Sequence, residues 1–241
     1  MTDLLALKAA NEKRWENAKL IRDFSAVVKY LIAPTAKTRY QAVSARTGVP
    51  WAVIAVIHER ECSQNWGGNL AQGDPWNRIS VHVPAGRGPF SSWEQAAVDA
   101  LVACAPYAAR NKDWSIGATL TKLEEYNGLG YAARRQPSPY VWSGTDQYRS
   151  GKYVRDGVYD PDAVDHQPGC AGLLLAMMAL DPSIKFDGAE RGPPQDRPPR
   201  ASPTTQPAPA PVSKSRSITN PSRGSIGALV ASILASLFKR R

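Results

Sequence analysis

The chain has 241 residues, 43% of them hydrophobic, which is enough to bury a sizeable core in one or two domains and excludes a wholly disordered polymer. Its net charge of +9 is unevenly spread: from Ala189 to Arg241 nine Lys and Arg face only Glu190 and Asp196, leaving +2 for the rest. Net charge therefore gives no reason to expect a nucleic-acid groove in the folded part. An odd number of cysteines without a CxxC, and three scattered histidines, argue against a disulfide framework and against a structural zinc.

The N-terminal segment lacks a charged region followed by a continuous apolar run and does not read as a signal peptide. Helical spacing with interspersed charges predicts one amphipathic helix from Leu4 to about Ile32, limited by Pro34. "TGVPWAVIAVIHERE" predicts a buried helix, with Pro50 suited to its first position. Gly67 to Pro89 is rich in Gly, Pro and Asn and holds a short alternating "ISVHV", a long loop or small β element. "SSWEQAAVDALVACAPYAARN" predicts a helix with Ser92 and Gln95 spaced as a capping box. "SIGATLTKLEEYNG" predicts another, ended by Asn127 and Gly128, and "PGCAGLLLAMMALDPS" an apolar core helix. The fold class expected is mainly α, of α+β type, with a small β or loop element beside the buried helix.

Composition changes after residue 188. Arg191 to Gly224 contains nine of the twenty prolines and few aliphatic side chains, so residues 189–224 read as a Pro-rich disordered linker. Residues 225–241 read as a cationic amphipathic helix, with Ile226, Leu229, Val230, Ile233, Leu234 and Leu237 on one face. It is too short to cross a bilayer, which takes about 20 residues. Ile226–Arg241, with Lys239, Arg240 and Arg241, suits an anionic membrane surface, and docking on the folded domain or on another copy is the alternative.

The chemistry-bearing stretch is "IHERECSQNWGGNLAQGDPW". On a helix from Trp51, Glu61 shares a face with Ile54 and Ile57, whereas Glu59 lies about 140° from Ile54 and is expected in solvent. A carboxyl among apolar groups is desolvated, which raises its pKa and suits it to donate a proton near neutral pH. The alternative for Glu61 is a solvated helix end, or pairing with Arg60 or Arg78. Asp74 and Ser80 follow from the loop, where Asp before Pro is also a common turn residue.

Together "GVPWAVIAVIHERECSQNWGGNLAQGDPW", "VHVPAGRGPFSSWEQAAVDAL", "YNGLGY" and "SPYVWSGTDQYRSGKYVRDG" resemble the phage-associated lysozyme-family proteins, peptidoglycan-cleaving endolysins of lysozyme-like fold. The resemblance covers roughly residues 48 to 160 in ordered blocks. In that group and the related lytic transglycosylases, a Glu ending a buried helix, commonly followed by Ser or Ala, is the catalytic acid. This corresponds to Glu61, with Cys62 in the following place. The Asp and Thr of the better-known phage muramidases correspond to Asp74 and Ser80, with a longer stretch between Glu61 and Asp74.

The resemblance implies cleavage of the β-1,4 bond between N-acetylmuramic acid and N-acetylglucosamine, with Glu61 protonating the leaving oxygen. If Asp74, helped by Ser80, activates a water, the enzyme is an inverting hydrolase with carboxyls roughly 6.5 to 9.5 Å apart. If Asp74 is structural, the muramic acid's own 6-hydroxyl attacks and a 1,6-anhydro product forms. The resemblance also implies synthesis in a host cytoplasm and action in the cell wall after release through a membrane lesion.

Glycan grooves combine aromatic platforms with amides and hydroxyls. Tyr126, Asn127, Tyr131, Tyr140, Trp142, Ser143 and Tyr148 are candidates to hold sugar, and the Tyr126–Asn127 pair matches a substrate-touching pair of the lytic transglycosylases. Asn127 is equally a helix end, and Tyr140 and Trp142 equally core anchors. His82 either lines the cleft or is a satisfied loop histidine. His58, Trp93 and Trp114 read as packing residues, and His166 carries no signal. The expected partner is the peptidoglycan strand, with no nucleic acid, cofactor or metal. A non-catalytic glycan-binding module and a membrane-active structural protein remain the other classes.

Overall fold

The computed structural model describes residues 2–189, and the Pro-rich segment and the cationic helix expected beyond them lie outside the described residues. Those residues form nine α-helices, one short 3-10 turn and a two-stranded sheet, a mainly helical architecture. α1 (Leu4–Asn17) starts where the Asp3 carboxylate accepts from the amides of Leu5 and Ala6. α2 (Ser25–Leu31) follows, so the single helix expected from Leu4 to Ile32 is in fact two. The reason is tertiary pairing: the Lys19 amide donates to Asp146 Oδ1, the Asp146 amide to the Lys19 carbonyl, and the Ile21 amide to the Gly144 carbonyl. These bonds hold residues 19–21 extended, and the Asp23 carboxylate then accepts from the Ser25 amide to restart the helix.

α3 (Pro34–Thr47) has Pro34 at its first turn and ends at Gly48, whose φ of +74° closes the helix in the left-handed region. α4 (Trp51–Cys62) comes next and is the centre of the molecule, with every residue from Ala52 to Glu61 buried. It packs against α2, α3 and α9 (Cys170–Leu180). Full burial of a side chain such as Ile54 or Ile57 stabilises by about 2 kcal/mol.

α5 (Trp93–Ala103) is capped by Ser92 Oγ, which accepts from the Gln95 amide, and it ends well before the predicted Asn111 because Pro106 interrupts the chain. α6 (Ile116–Asn127) lies along α1 and ends at Gly128. Two short helices, α7 (Gly130–Ala133) and α8 (Pro139–Trp142), precede β1 (Lys152–Arg155) and β2 (Val158–Asp160). The strands are antiparallel, Tyr153 opposite Tyr159, joined through Asp156 and Gly157.

The sheet is thus at residues 152–160, not at "ISVHV". That stretch is irregular, with Ile79, Val81 and Val83 exposed and Ser80 buried. Its alternation is real but inverted, because the polar residues carry the inward hydrogen bonds described below. No helix of the described residues is long and apolar enough to cross a membrane.

Candidate active site

The end of α4 brings three successive charged residues into the interior. The Ser63 amide donates to the Glu59 carbonyl and the Gln64 amide to the His58 carbonyl, which needs left-handed φ values of 49° at Ser63 and 60° at Gln64. Such backbone is uncommon for residues other than glycine and costs of order 1 kcal/mol at each position. The Gln167 side-chain amide donates to the Arg60 carbonyl at 2.7 Å, covering a helix-end acceptor that would otherwise lack a partner.

Glu61 is 7% exposed. Burial pushes its carboxyl up to about 7, even though the Tyr140 hydroxyl and the Arg60 charge work in the opposite direction. Tyr140, on α8, donates to Oε1 at 2.8 Å. Oε2 takes no hydrogen bond from the described residues and is not among the sealed, unpartnered polar atoms, so it keeps a slight exposure. A neutral carboxylic acid, oriented through one oxygen and free at the other, is suited to proton donation.

Arg60 does not pair with Glu61 by hydrogen bond. It donates to the Asp165 carboxylate and the Pro168 carbonyl, both at 3.1 Å, and its guanidinium lies 4.6 Å from the Tyr140 ring centroid. Asp165 also accepts from Lys152 at 3.0 Å. Glu59 corrects the wheel-based expectation of a solvated side chain: it is buried, accepts from Gln64 Nε2 at 2.8 Å, and has its pKa raised by burial. His58 is a buried structural residue, bonded to the Tyr40 hydroxyl and the Asn65 carbonyl.

Cys62 Sγ donates to the Asn69 carbonyl, tying the helix end to the following loop. Gly73 comes close to Glu61 there: a Cβ on it would stand 3.2 Å from the Glu61 carbonyl oxygen, and its φ of +73° also favours glycine. Asp74, next in sequence, accepts from the amides of Val81 and His82 on Oδ2 and from the His82 ring Nδ1 on Oδ1, at 2.6 to 2.9 Å. Burial opposes its charge, but these bonds outweigh it and hold the carboxyl below its usual pKa. Ser80 Oγ accepts from the Arg87 amide and faces the Pro84 and Arg87 carbonyls as a donor. Asp74 and Ser80 therefore fasten the 74–87 loop to itself.

The sugar-holding candidates divide by burial. Trp142 and Ser143 are fully enclosed, Trp142 donating to Asn11 Oδ1 and Ser143 to the Asp165 carbonyl, so neither presents a surface to a ligand. Tyr148 is bonded to Gly151 and Asp165, and Tyr126 donates to the Leu70 carbonyl, each nearly buried. Tyr131 accepts from the Tyr153 amide, with its ring edge-on to Tyr153. These four positions and Ser143 serve packing, which corrects the expectation of an aromatic sugar platform there. Tyr140 is buried too, but acts on Glu61. Asn127 and His82 keep partial exposure.

A cleft of about 580 Å³ lies elsewhere, lined by Arg39, Asn65, Trp66, Gly67, Gly73, Pro75, Trp76 and Asn77. Glu61 does not line it, but Gly73 belongs to both neighbourhoods. Trp66 and Trp76 were visible in the chain as two tryptophans in one Gly-rich loop, a pattern overshadowed by the denser aromatics downstream. Among the described residues no cluster of three or more His, Cys, Asp or Glu is placed to hold a metal ion. Comparison with family models, with characterised proteins and with solved structures returns no match.

Proposed function

We propose that the protein is a peptidoglycan glycosidase of lysozyme-like fold that cleaves the β-1,4 bond between N-acetylmuramic acid and N-acetylglucosamine, with Glu61 as general acid. The observation that carries this reading is the Glu61 carboxyl, raised by burial to a pKa of about 7, oriented by Tyr140 and without a hydrogen-bond partner at Oε2, next to a loop that forms an aromatic and amide cleft. Glu61 protonates the glycosidic oxygen as positive charge develops on the sugar ring.

How that cation is quenched separates two readings. In a hydrolase Asp74 activates a water. The three hydrogen bonds that Asp74 accepts from residues 81 and 82 favour the second reading, in which the muramic acid 6-hydroxyl attacks and the Glu61 carboxylate takes up its proton. Mass spectrometry of purified peptidoglycan after digestion tests both. The expected result is 1,6-anhydro muropeptides, lighter by one water than reducing-end products, and none with Glu61→Gln. Reducing-end products would return the reading to the hydrolase, and unaltered peptidoglycan would sink the glycosidase.

A further inference from the structure

The cleft beside the loop has an uneven chemistry. Trp66 is already stacked on Tyr40, with ring centroids 5.2 Å apart, and is covered by the Arg39 guanidinium at 4.0 Å. Trp76 has no aromatic or cationic neighbour on its ring among the described residues, and its indole N–H is held by the Trp66 carbonyl at 2.8 Å. Its partly exposed ring is fixed and free to stack. Asn65 and Asn77 stand exposed on the same walls; the Asn65 Oδ1 accepts from the Gly67 amide at 2.9 Å, which fixes that side chain and leaves its NH2 group as a donor.

Among the described residues Arg39 supplies the only charge in the lining. Glu94, at the start of α5, accepts from its Nε at 2.5 Å, and the two terminal nitrogens have no acceptor among the described residues. Glu94 thus fixes the guanidinium and leaves the outer fork unpaired, the geometry that takes a carboxylate through two parallel hydrogen bonds. A volume of about 580 Å³ is in the range of small-ligand sites, about 300 to 1,000 Å³.

The geometry points to a subsite for an N-acetylated sugar bearing a carboxylate, with the ring on Trp76, the acetamido group among Asn65 and Asn77, and the carboxylate on the Arg39 fork. The assignment rests on the glycan reading above and gives it a source of selectivity: a muramyl unit carries a carboxylate on its lactyl ether or on the attached peptide, and a chitin unit carries none.

Tryptophan fluorescence of the full chain at pH 7 is titrated with N-acetylglucosaminyl-N-acetylmuramic acid and with di-N-acetylchitobiose. The muramyl disaccharide is expected to bind about tenfold more tightly. Arg39→Gln removes that preference while chitobiose still binds, and Arg39→Lys, which keeps charge without the fork, removes most of it if the Gln variant fails to fold. Trp76→Ala weakens both sugars. A stem-peptide derivative, in which the lactyl carboxylate is amidated, tells the two sources apart: parity with chitobiose assigns the lactyl group, and retained preference assigns the peptide.

Equal affinities in the wild type, no binding of either disaccharide, or a full preference surviving both Arg39 variants overturns the assignment. Absence of peptidoglycan cleavage with the preference intact removes the catalytic reading and leaves the subsite.

Discussion

One hydroxyl proton, that of Tyr140, sets how tightly Glu61 holds its own. The bond to Oε1 favours the charged carboxylate, so Tyr140→Phe raises the Glu61 pKa above about 7. Donation needs the protonated acid, so activity falls as pH rises through that pKa. The alkaline limb of the cleavage profile is therefore expected to move to higher pH in Tyr140→Phe, while Glu61→Gln lowers the rate at least a hundredfold at every pH. An unmoved limb would mean that another group titrates there. For Asp74 the sign is opposite. Its lowered pKa contributes stability that is present above the unfolded value of 3.8 and lost as pH falls through the folded one. Asp74→Asn is expected to lower the thermal midpoint at pH 7 and to narrow that difference in acid, with the chemical form of any glycan product unchanged.

Glu124 shows why a raised pKa does not by itself mark a catalytic acid. Burial pushes it up to about 7 as well, but it sits on α6, where α1 packs, and its Oε1 is sealed without a partner. Its effect is on the element. The folded state holds this proton up to about pH 7 and the unfolded chain only to about 4.5, so stability declines as pH rises between those values, by on the order of 3 kcal/mol. Glu124→Gln removes the Glu124 share of that slope and leaves the shares of Glu61 and Glu59, a reduction measurable by denaturant unfolding at pH 5 and pH 8. At the other helix, Ser92→Ala deletes the cap of α5 and costs about 1 kcal/mol without altering the cleavage profile. Helices of this kind were legible in the chain where local signals and burial agree: Ser92, Gly128 and the apolar run of α9, whereas Pro50 stands one place before the first residue of α4 and not at it. The break at residues 19–21 was not, because it depends on partners more than 120 residues away, and neither was the burial of Glu59, because a wheel assumes one solvent face that α4 lacks. Glu61 was readable from its place on the apolar stripe. Its orienting Tyr140 was visible only as an aromatic, since nothing local tells a packing ring from a donor aimed at a carboxyl.

At the scale of the whole molecule, the described unit closes on itself: Trp15 Nε1 donates to the carbonyl of Ala189, which is buried. A chain ending at Ala189 is expected to keep its unfolding midpoint and its action on purified peptidoglycan. Loss of binding to anionic liposomes in that truncation, with full binding in the complete chain, is the outcome expected of the basic C-terminal segment; liposome binding that persists would remove the membrane role. The position of α4 has a consequence for time as well as for space. A helix with no solvent face cannot fray or slide without opening its neighbours, so its amides are expected to exchange with deuterium only through global unfolding. The loop that carries Trp66, Gly73 and Trp76 has several exposed residues and should exchange long before. On the proposed glycosidase reading, the opening that admits a glycan strand belongs to that loop, while Glu61 at the end of α4 keeps its place.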